Sequence, residues 1–318
     1  MTDLTPDPAA LDRFTADLDT LVPGDTRLGI AVSGGPDSLA LLLLAAAARP
    51  GMVEAATVDH GLRREARKEA RFVAAICKDL ALPHHILNAR ISPGASLQAQ
   101  ARSARYRVLG AWGIECDLGA IASGHHADDQ AETLLMRLAR GAGLSGLAAT
   151  RRRRALEPGV TLVRPLLDWR RAELAQIVSA AGLTAVDDPT NRDPRHDRTR
   201  FRGLLADADW ADADRLASSA AWLAEADEAI EWALEGLIAT RLTQDRSGAA
   251  IDPAGPPREL QRRLLLAAFE RLGAPRPRGP ELDRVLAALS AGKTATLSGL
   301  KLSGGAQWRL ANEPERRR

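Results

Sequence analysis

The sequence predicts an α/β protein with a doubly wound, mainly parallel sheet, followed by a smaller, mainly helical domain. Two observations support this prediction. Apolar, strand-like segments alternate with helical segments through the first half of the 318-residue chain, which is typical of a parallel sheet with helices on both faces. After Leu205 the sequence becomes acidic and rich in alanine. We therefore expect one domain at 1–205 and a second at 206–318.

In the first domain, the predicted strands are short apolar runs that end at polar or glycine-rich turns, and the predicted helices show helical spacing of apolar residues. The strands lie at 28–33, 53–58, 84–87 and 118–123. The helices lie at 38–48, 65–82, 97–112, 128–140 and 170–181.

In the second domain, residues 207–235 carry an intermittent apolar stripe and predict a long, exposed helix that joins the two domains. Further helices are predicted at 257–272 and 280–290. The tail at 294–310 alternates weakly around a Gly-Gly pair, a pattern compatible with a β-hairpin.

Composition limits the class of protein. The chain is 45% apolar but only 3% aromatic, so we expect a full core built from Ala, Leu and Val. It has no run of about 18 uncharged apolar residues, and its N-terminus does not resemble a signal peptide. We therefore expect a cytoplasmic protein with no membrane partner. Cys77 and Cys116 are expected to pack as small side chains rather than to form a disulfide.

The distribution of charge is more informative than its sum. The formal net charge is +2, but arginines cluster at 151–154, 192–202 and 258–278. Like charges held close together repel one another, and an anionic partner such as nucleic acid would relieve that repulsion.

The most informative segment is a turn between the first predicted strand and the first predicted helix. It consists of Ser33, Gly34, Gly35, Pro36, Asp37 and Ser38. The glycines let backbone N–H groups approach a ligand with no Cβ in the way, and the helix start adds free N–H groups and a positive dipole end. The turn therefore favours an anion, most plausibly phosphate.

Asp37 does not fit a bare anion site, because its carboxylate would repel phosphate. It fits if a divalent cation such as Mg²⁺ lies between the carboxylate and the phosphates. A Walker loop is excluded because no Gly-Lys-Ser/Thr closes the turn, and the glycine spacing excludes the dinucleotide fingerprint. The remaining alternative is a plain strand–turn–helix corner capped by Asp37 or Ser38.

A second polar segment, 124–133, follows the fourth predicted strand, where ligands bind in open α/β sheets. We predict Asp128 as the N-cap of the next helix, which places Asp129 and Glu132 on one face of its first turn. These carboxylates suit Mg²⁺ or the ammonium group of a cationic substrate. Zinc is less favoured, because the two histidines of the segment are adjacent and no cysteine pair accompanies them. An ordinary helix with an acidic first turn is the alternative.

Arg102 and Arg105 share one face of a predicted helix and are followed by Tyr106, the only tyrosine in the chain. Arginine binds phosphate through two parallel hydrogen bonds, which favours an anion site here. A solvated basic face is the alternative.

Five segments, in this order, resemble the tRNA(Ile)-lysidine synthetase family, which belongs to the N-type ATP pyrophosphatases or PP-loop enzymes. They are 33–38, 58–63, 101–106, 124–133 and 140–147. The resemblance runs from about residue 26 to residue 202 and includes 187–191 and the basic segment 198–202. Thr199 stands where the family has asparagine. Beyond Leu205 the chain resembles the family's shorter form only in length, helical character and position.

The resemblance implies a Rossmann-like PP-loop domain and an ATP- and Mg²⁺-dependent ligase. Such an enzyme adenylates the wobble cytidine in the CAU anticodon of an isoleucine tRNA, and free L-lysine then displaces AMP to give lysidine. The turn at 33–38 would bind ATP, and Asp37 and Asp129 would bind Mg²⁺. Asp129 and Glu132 would also bind lysine. The implied catalytic residues are Asp37, Arg105, His125, Asp129 and Glu132.

The basic clusters would bind the tRNA, with contacts added by the second domain. The sequence leaves open the formation of a homodimer. The implied tRNA-binding residues are Arg151, Arg152, Arg198, Arg200 and Arg202.

A thiolating tRNA enzyme shares the loop but generally needs catalytic cysteines, and neither cysteine here lies in a motif. A small-molecule synthetase leaves the arginine clusters unexplained. A non-catalytic RNA-binding protein leaves the combination of Asp37, Arg105, Asp129 and Glu132 unexplained.

Overall fold

The computed structural model describes residues 4–61, 66–90, 97–186, 197–208 and 210–313. The chain divides into two compact units, Met1–Ala224 and Glu225–Arg318. The family-like segment at 187–191 lies outside the described residues.

The first unit contains a six-stranded sheet and its helices. The strands are β1 (Leu28–Ala31), β2 (Val53–Asp59), β3 (His84–Asn88), β4 (Ala120–Ser123), β5 (Arg153–Glu157) and β6 (Val160–Val163). The helices are α1 (Pro8–Asp19), α2 (Pro36–Ala48), α3 (Ala66–Asp79), α4 (Leu97–Glu115), α5 (Ala127–Leu138), α6 (Leu144–Leu147), α7 (Arg171–Ala180) and α8 (Asp197–Ala206). A longer helix, α9 (Ala213–Arg241), begins in this unit.

The strand order is β3-β2-β1-β4-β6-β5, and all neighbours are parallel except β5, which runs antiparallel to β6. The predicted α/β class with a mainly parallel sheet is therefore confirmed. The chain adds β2 and β3 on one side of β1 and then returns to place β4 on the other side. This reversal puts the carboxyl ends of β1 and β4 side by side, the usual position of a ligand crevice in open α/β sheets.

The helix α2 fixes the turn that follows β1. Its residues 39–45 are all at most 1% exposed, because α2 is apolar around its whole circumference rather than along one stripe. It shares a core cluster with β1 and with Leu174 and Val178 of α7. The turn at 33–38 therefore rests on a fully packed element.

Five elements of this unit were not predicted from the sequence: α1, α6, β5, β6 and α8. No helix was predicted near the N-terminus, but Pro8 occupies the first turn of α1, where proline favours a helix start, and Asp7 caps it. The segments that form β5 and α8 appeared only as basic clusters. β5 is a partly exposed edge strand, so it lacks the apolar run that identified the central strands.

The second unit combines helices with a five-stranded antiparallel sheet, ordered β7-β8-β11-β10-β9. Its elements are β7 (Leu242–Asp245), β8 (Gly248–Ile251), α10 (Arg258–Arg271), α11 (Gly279–Ser290), β9 (Thr294–Leu297), β10 (Leu300–Ser303) and β11 (Trp308–Asn312). The predicted helices correspond to α10 and α11, and β10 and β11 form the C-terminal hairpin. The remaining strands are four residues long and were not predicted, because so short a run carries little periodicity.

The two units divide within α9, between Ala224 and Glu225, whereas the change in composition lies at Leu205. Within the described residues, no helix combines the length and the apolar character needed to cross a membrane.

Candidate active site

The glycine-rich loop (residues 33–38) is held closed by the hydroxyl of Ser38. Ser38 Oγ accepts a hydrogen bond from the backbone N–H of Ser33 at 3.1 Å and donates to the carbonyl oxygen of Gly35 at 3.0 Å. Gly34 has a φ of +86°, a conformation that favours glycine. No side chain caps α2 at Gly35, so the first N–H groups of the helix are available to an anion.

Gly124, just after β4, lies directly against this loop. A Cβ built on Gly124 would fall 2.9 Å from both the carbonyl carbon and the carbonyl oxygen of Asp37. Because backbone atoms cannot yield as a flexible side chain can, only glycine permits this approach. The two polar segments that were selected from the sequence therefore form one site.

His126 lies at the centre of three carboxylates, which we call the carboxylate pocket: Asp37, Asp128 and Asp129. Its ring nitrogens are 3.5 Å from Asp37 Oδ2, 3.5 Å from Asp128 Oδ2 and 3.7 Å from Asp129 Oδ2. The histidine side chain is fully buried, whereas the side chain of Asp37 keeps 30% of its surface exposed. The pocket therefore opens to solvent on the side of Asp37.

The prediction that Asp128 caps α5 is wrong, because His126 occupies the N-cap position. The Asp129 carboxylate accepts a hydrogen bond from the backbone N–H of His126 at 3.3 Å, which completes a capping box. Asp128 instead accepts a hydrogen bond from the backbone N–H of Arg171 at 2.8 Å. A histidine is an uncommon cap, so the more usual residue was chosen from the sequence.

The carboxylate pocket determines the charge of His126. Burial by itself lowers the pKa of His126, but the contacts with Asp128 and Asp37 and the charge of Asp129 outweigh burial and raise it to about 9. Burial likewise raises the pKa of Asp128, but His126, Arg170 and the backbone of Arg171 lower it well below its usual range. Near neutral pH, a cationic imidazole thus holds the carboxylates together.

One oxygen of the pocket has no hydrogen-bond partner within the described residues: Asp37 Oδ1, which is buried. Leaving a buried carboxylate oxygen unpartnered costs free energy. A divalent cation would supply the missing partner, so the residues present fit the predicted Mg²⁺.

Glu132 is paired with arginines rather than exposed to solvent. It is 1% exposed, and its carboxylate lies 2.7 Å from Arg202 Nε and 3.0 Å from Arg198 Nε. Arg198 also lies 3.5 Å from Asp129. The two carboxylates predicted to bind lysine and two of the arginines predicted to bind tRNA therefore meet in a single ion-pair network between α5 and α8.

A second cluster is cationic and surrounds Tyr106; we call it the arginine cluster. Arg102 and Arg154 lie over the phenol ring, with guanidinium carbons 5.1 Å and 4.4 Å from its centroid. Burial raises the pKa of Tyr106, but its neighbours Arg102, Arg164 and Arg105 bring it below its ordinary value. The members of the arginine cluster are Arg102, Arg105, Arg154 and Arg164.

His125 faces the arginine cluster. Its Nδ1 is 3.0 Å from Ser123 Oγ. Burial, followed by the charges of Arg164, Arg105, Arg198 and Arg102, lowers the pKa of His125 well below its ordinary value. Burial also lowers the pKa of Arg105. This half of the site therefore contains a neutral imidazole among cations and is suited to an anion.

The sequence analysis missed three members of the site. His126 was named only as part of the polar segment, while its neighbour His125 was assigned a role. Arg154 was known only as part of a basic run. Arg164 directly follows β6 and is 2% exposed. Its neighbours in the sequence form no motif that would have indicated a functional residue.

The other predicted tRNA contacts lie in different environments. Arg151 donates to the carbonyl oxygen of Ala224 at 2.9 Å, and Arg152 pairs with Asp168. Arg200 is exposed on α8. Arg151 and Arg152 are therefore partly engaged by the protein itself.

The chain is similar to known proteins along most of its length. Residues 9–208 match the family model described as a PP-loop domain. A tRNA(Ile)-lysidine synthase from Zymomonas mobilis is 45% identical over 301 residues, covering 93% of this chain and 91% of its own length. One from Novosphingobium aromaticivorans is 46% identical over 313 residues, covering 97% and 95%.

Among solved structures, the U34-tRNA thiolase NcsA from Methanococcus maripaludis, with its [4Fe-4S] cluster, is similar with a TM-score of 0.53. It is 15% identical, and the match covers 70% of this chain and 80% of the thiolase. At that identity the similarity concerns the fold alone. In the present chain, Cys77 is buried in the core of the first unit, and Cys116 follows the end of α4 rather than a strand that leads into the site.

Proposed function

Because the chain belongs to the tRNA(Ile)-lysidine synthase family, we propose that it joins free L-lysine to the wobble cytidine of the CAU anticodon of isoleucine tRNA. ATP adenylates the carbonyl oxygen of the base with release of pyrophosphate. The lysine amine then attacks the activated carbon and releases AMP, leaving lysidine, which pairs with A instead of G. The observation that supports this proposal is the contact of the carboxylate pocket with the glycine-rich loop, while the arginine cluster acts on the adjacent His125.

The loop at 33–38 would bind the ATP phosphates through its backbone N–H groups and serine hydroxyls. Asp37 and Asp129 would hold Mg²⁺, which neutralises phosphate charge when bound. The unpartnered Asp37 Oδ1 supports this assignment. His126 would keep the carboxylates in position, because it contacts Asp37 and Asp129 at once.

Arg105 and the rest of the arginine cluster would stabilise the negative charge of the phosphate that is transferred and later leaves as AMP. Preorganised cations act strongly where water is excluded, and Arg164 is almost fully buried. His125, neutral in this environment, would shape the pocket without adding charge. No covalent enzyme nucleophile is required.

Asp129 and Glu132 would bind the ammonium group of lysine. In the structure these two carboxylates are paired with Arg198 and Arg202. Both partners are positively charged, as the lysine ammonium group is, so Asp129 and Glu132 already bind cationic groups. The incoming ammonium would take the place of a guanidinium group, freeing an arginine of α8 for the tRNA. Arg200, exposed beside them, would contact the tRNA backbone.

Arg151 and Arg152 would add contacts with the tRNA backbone, and the second unit would contribute tRNA contacts of its own. A cytoplasmic location and a homodimer stay predictions from the sequence.

The decisive experiment incubates the protein with ATP, Mg²⁺, labelled lysine and an unmodified CAU isoleucine tRNA transcript. We expect label in the tRNA together with release of AMP and pyrophosphate. A transcript with U in place of the wobble C is the matched control and should remain unlabelled. Equal labelling of both transcripts, or labelling without ATP, would contradict the proposal.

A further inference from the structure

Glu54, His85 and Cys116 lie together at the edge of the sheet opposite the active-site loops. Glu54 is the second residue of β2, His85 is the second residue of β3, and Cys116 directly follows α4. One donor atom of each lies within 4.8 Å of the other two, and Glu54 Oε2 is 3.0 Å from His85 Nε2. None of the three has a part in the proposed ligase reaction.

We propose that these three side chains bind a transition-metal ion, with Zn²⁺ as the best match. Thiolate, imidazole and carboxylate are the donors that Zn²⁺ takes in proteins, whereas Mg²⁺ and Ca²⁺ prefer oxygen donors alone. Three protein ligands leave a fourth tetrahedral position for water. The side chains of Glu54 and His85 are 12% and 38% exposed, so a cation can reach them from solvent.

Neighbouring groups hold the ligands in place. Arg27 Nη2 donates to Glu54 Oε1 at 2.6 Å, and Arg27 Nη1 donates to the carbonyl oxygen of Cys116 at 2.7 Å. Glu54 is thereby held with Oε2 toward His85. The ring of Trp112 lies tilted against that of His85, with centroids 5.7 Å apart. Such outer contacts orient the ligands of known metal sites.

The alternative is a hydrogen-bonded group without metal, in which Glu54 Oε2 contacts His85 Nε2 and the Cys116 thiol interacts with Glu54. That group needs no sulfur-to-metal bond, whereas the proposed site needs the sulfur of Cys116 as a ligand. The participation of the thiol therefore distinguishes the two.

The test uses the full chain, freed of metal by a chelator and dialysis, in excess Mg²⁺ to occupy sites made of oxygen donors alone. Co²⁺ is the probe, because a thiolate ligand gives it a sulfur-to-metal charge-transfer absorption in the near ultraviolet. We expect this absorption to saturate at one equivalent of Co²⁺ and to disappear when Zn²⁺ is added. Cys116→Ser should abolish it, and His85→Gln and Glu54→Gln should each weaken Co²⁺ binding by about tenfold or more.

Two matched controls retain all three ligands. Cys77→Ala removes the other cysteine, and His84→Gln removes the adjacent histidine, whose Nε2 is 3.0 Å from Thr57 Oγ1; both should keep the absorption. Circular dichroism confirms that each variant is folded. No absorption in the unaltered chain, an equal absorption in Cys116→Ser, or unchanged Co²⁺ affinity in both His85→Gln and Glu54→Gln would overturn the proposal.

Discussion

His125 and His126 are adjacent in the sequence, yet their surroundings shift their pKa values in opposite directions. His126 contacts three carboxylates and has its pKa raised to about 9. His125 faces arginines and has its pKa lowered well below the ordinary value. One residue step at the start of α5 thus separates a cation-seeking half of the site from an anion-seeking half. A metal–nucleotide complex carries both signs of charge, and a site divided in this way can hold both.

The sharpest way to break the cation-seeking half is to remove Asp37. We expect Asp37→Ala to lower pyrophosphate release by roughly 10²–10³, the usual loss for one preorganised electrostatic group. The fold should survive, because Asp37 lies in the first turn of α2 and its side chain keeps 30% of its surface exposed, outside the packed stretch at 39–45. Asp37→Asn is the matched variant, since it keeps the shape and removes the charge. Release within tenfold of the original rate would contradict the metal assignment.

The second prediction concerns the pH dependence of stability without Mg²⁺. The folded-state pKa of His126 lies above its unfolded value, so its contribution is complete below about pH 6.5 and is lost as pH rises through about 9. The shift corresponds to about 3 kcal/mol of unfolding free energy at most. Denaturant titrations from pH 6 to 10 measure it, and His126→Gln should remove this loss.

The neighbouring histidine supplies the control of opposite sign. Because the folded-state pKa of His125 is lowered, its effect is a loss of stability as pH falls below about 6.5. His125→Gln should therefore leave the alkaline slope intact and flatten the acidic one. Identical pH profiles for the two variants would show that the two halves do not differ in charge.

The third prediction tests the assignment of Asp129 and Glu132 to the binding of lysine. We expect Glu132→Gln and Asp129→Asn each to raise the KM for lysine about tenfold, equivalent to about 1.4 kcal/mol. Adenylation, followed as pyrophosphate release without lysine, should change less in Glu132→Gln than in Asp129→Asn, because only Asp129 is also assigned to the metal. If neither the KM for lysine nor the aminolysis rate changes, these carboxylates do not recognise lysine.

The smallest expected effect lies outside both halves, in the basic residues 151–153. Replacing Arg151, Arg152 and Arg153 by glutamine should weaken tRNA binding. The salt slope should fall by roughly 0.7 for each single-strand phosphate that the variant no longer neutralises, or by about 0.9 for each duplex phosphate. ATP binding should not change. Replacing the exposed Arg71 and Lys78 of α3 is the control on another basic surface. Equal slopes for the two variants would contradict this placement of the tRNA surface.

Most of the parallel sheet was predictable because β1, β2 and β4 are short apolar runs, each followed by a turn. The internal strand β6 was missed, because its four residues carry little periodicity. The glycine-rich loop was predictable because its chemistry is contained in six consecutive residues. β5 was missed because it is a largely exposed edge strand. Its arginines interrupt the alternation of apolar and polar residues by which a strand is predicted from sequence.

The details of the site depend on contacts between distant residues, and these are beyond sequence patterns. Glu132 pairs with Arg202, which is 70 residues away in the sequence. No residue near Glu132 in the sequence indicates that partner. Likewise, adjacent histidines look equivalent in sequence, but only the fold buries His126 between Asp37 and Asp129. Local chemistry was therefore predicted better than the pairing of charges.

The burial of α2 has a consequence for synthesis of the chain. Its apolar surface is covered in part by α7, which begins more than a hundred residues later. At about 5–20 residues per second, a ribosome needs roughly 6–25 seconds to make that interval. During this time the apolar surface of α2 that α7 later covers has no partner from α7. The glycine-rich loop therefore acquires its full packing late, although it is among the first parts of the enzyme to be translated.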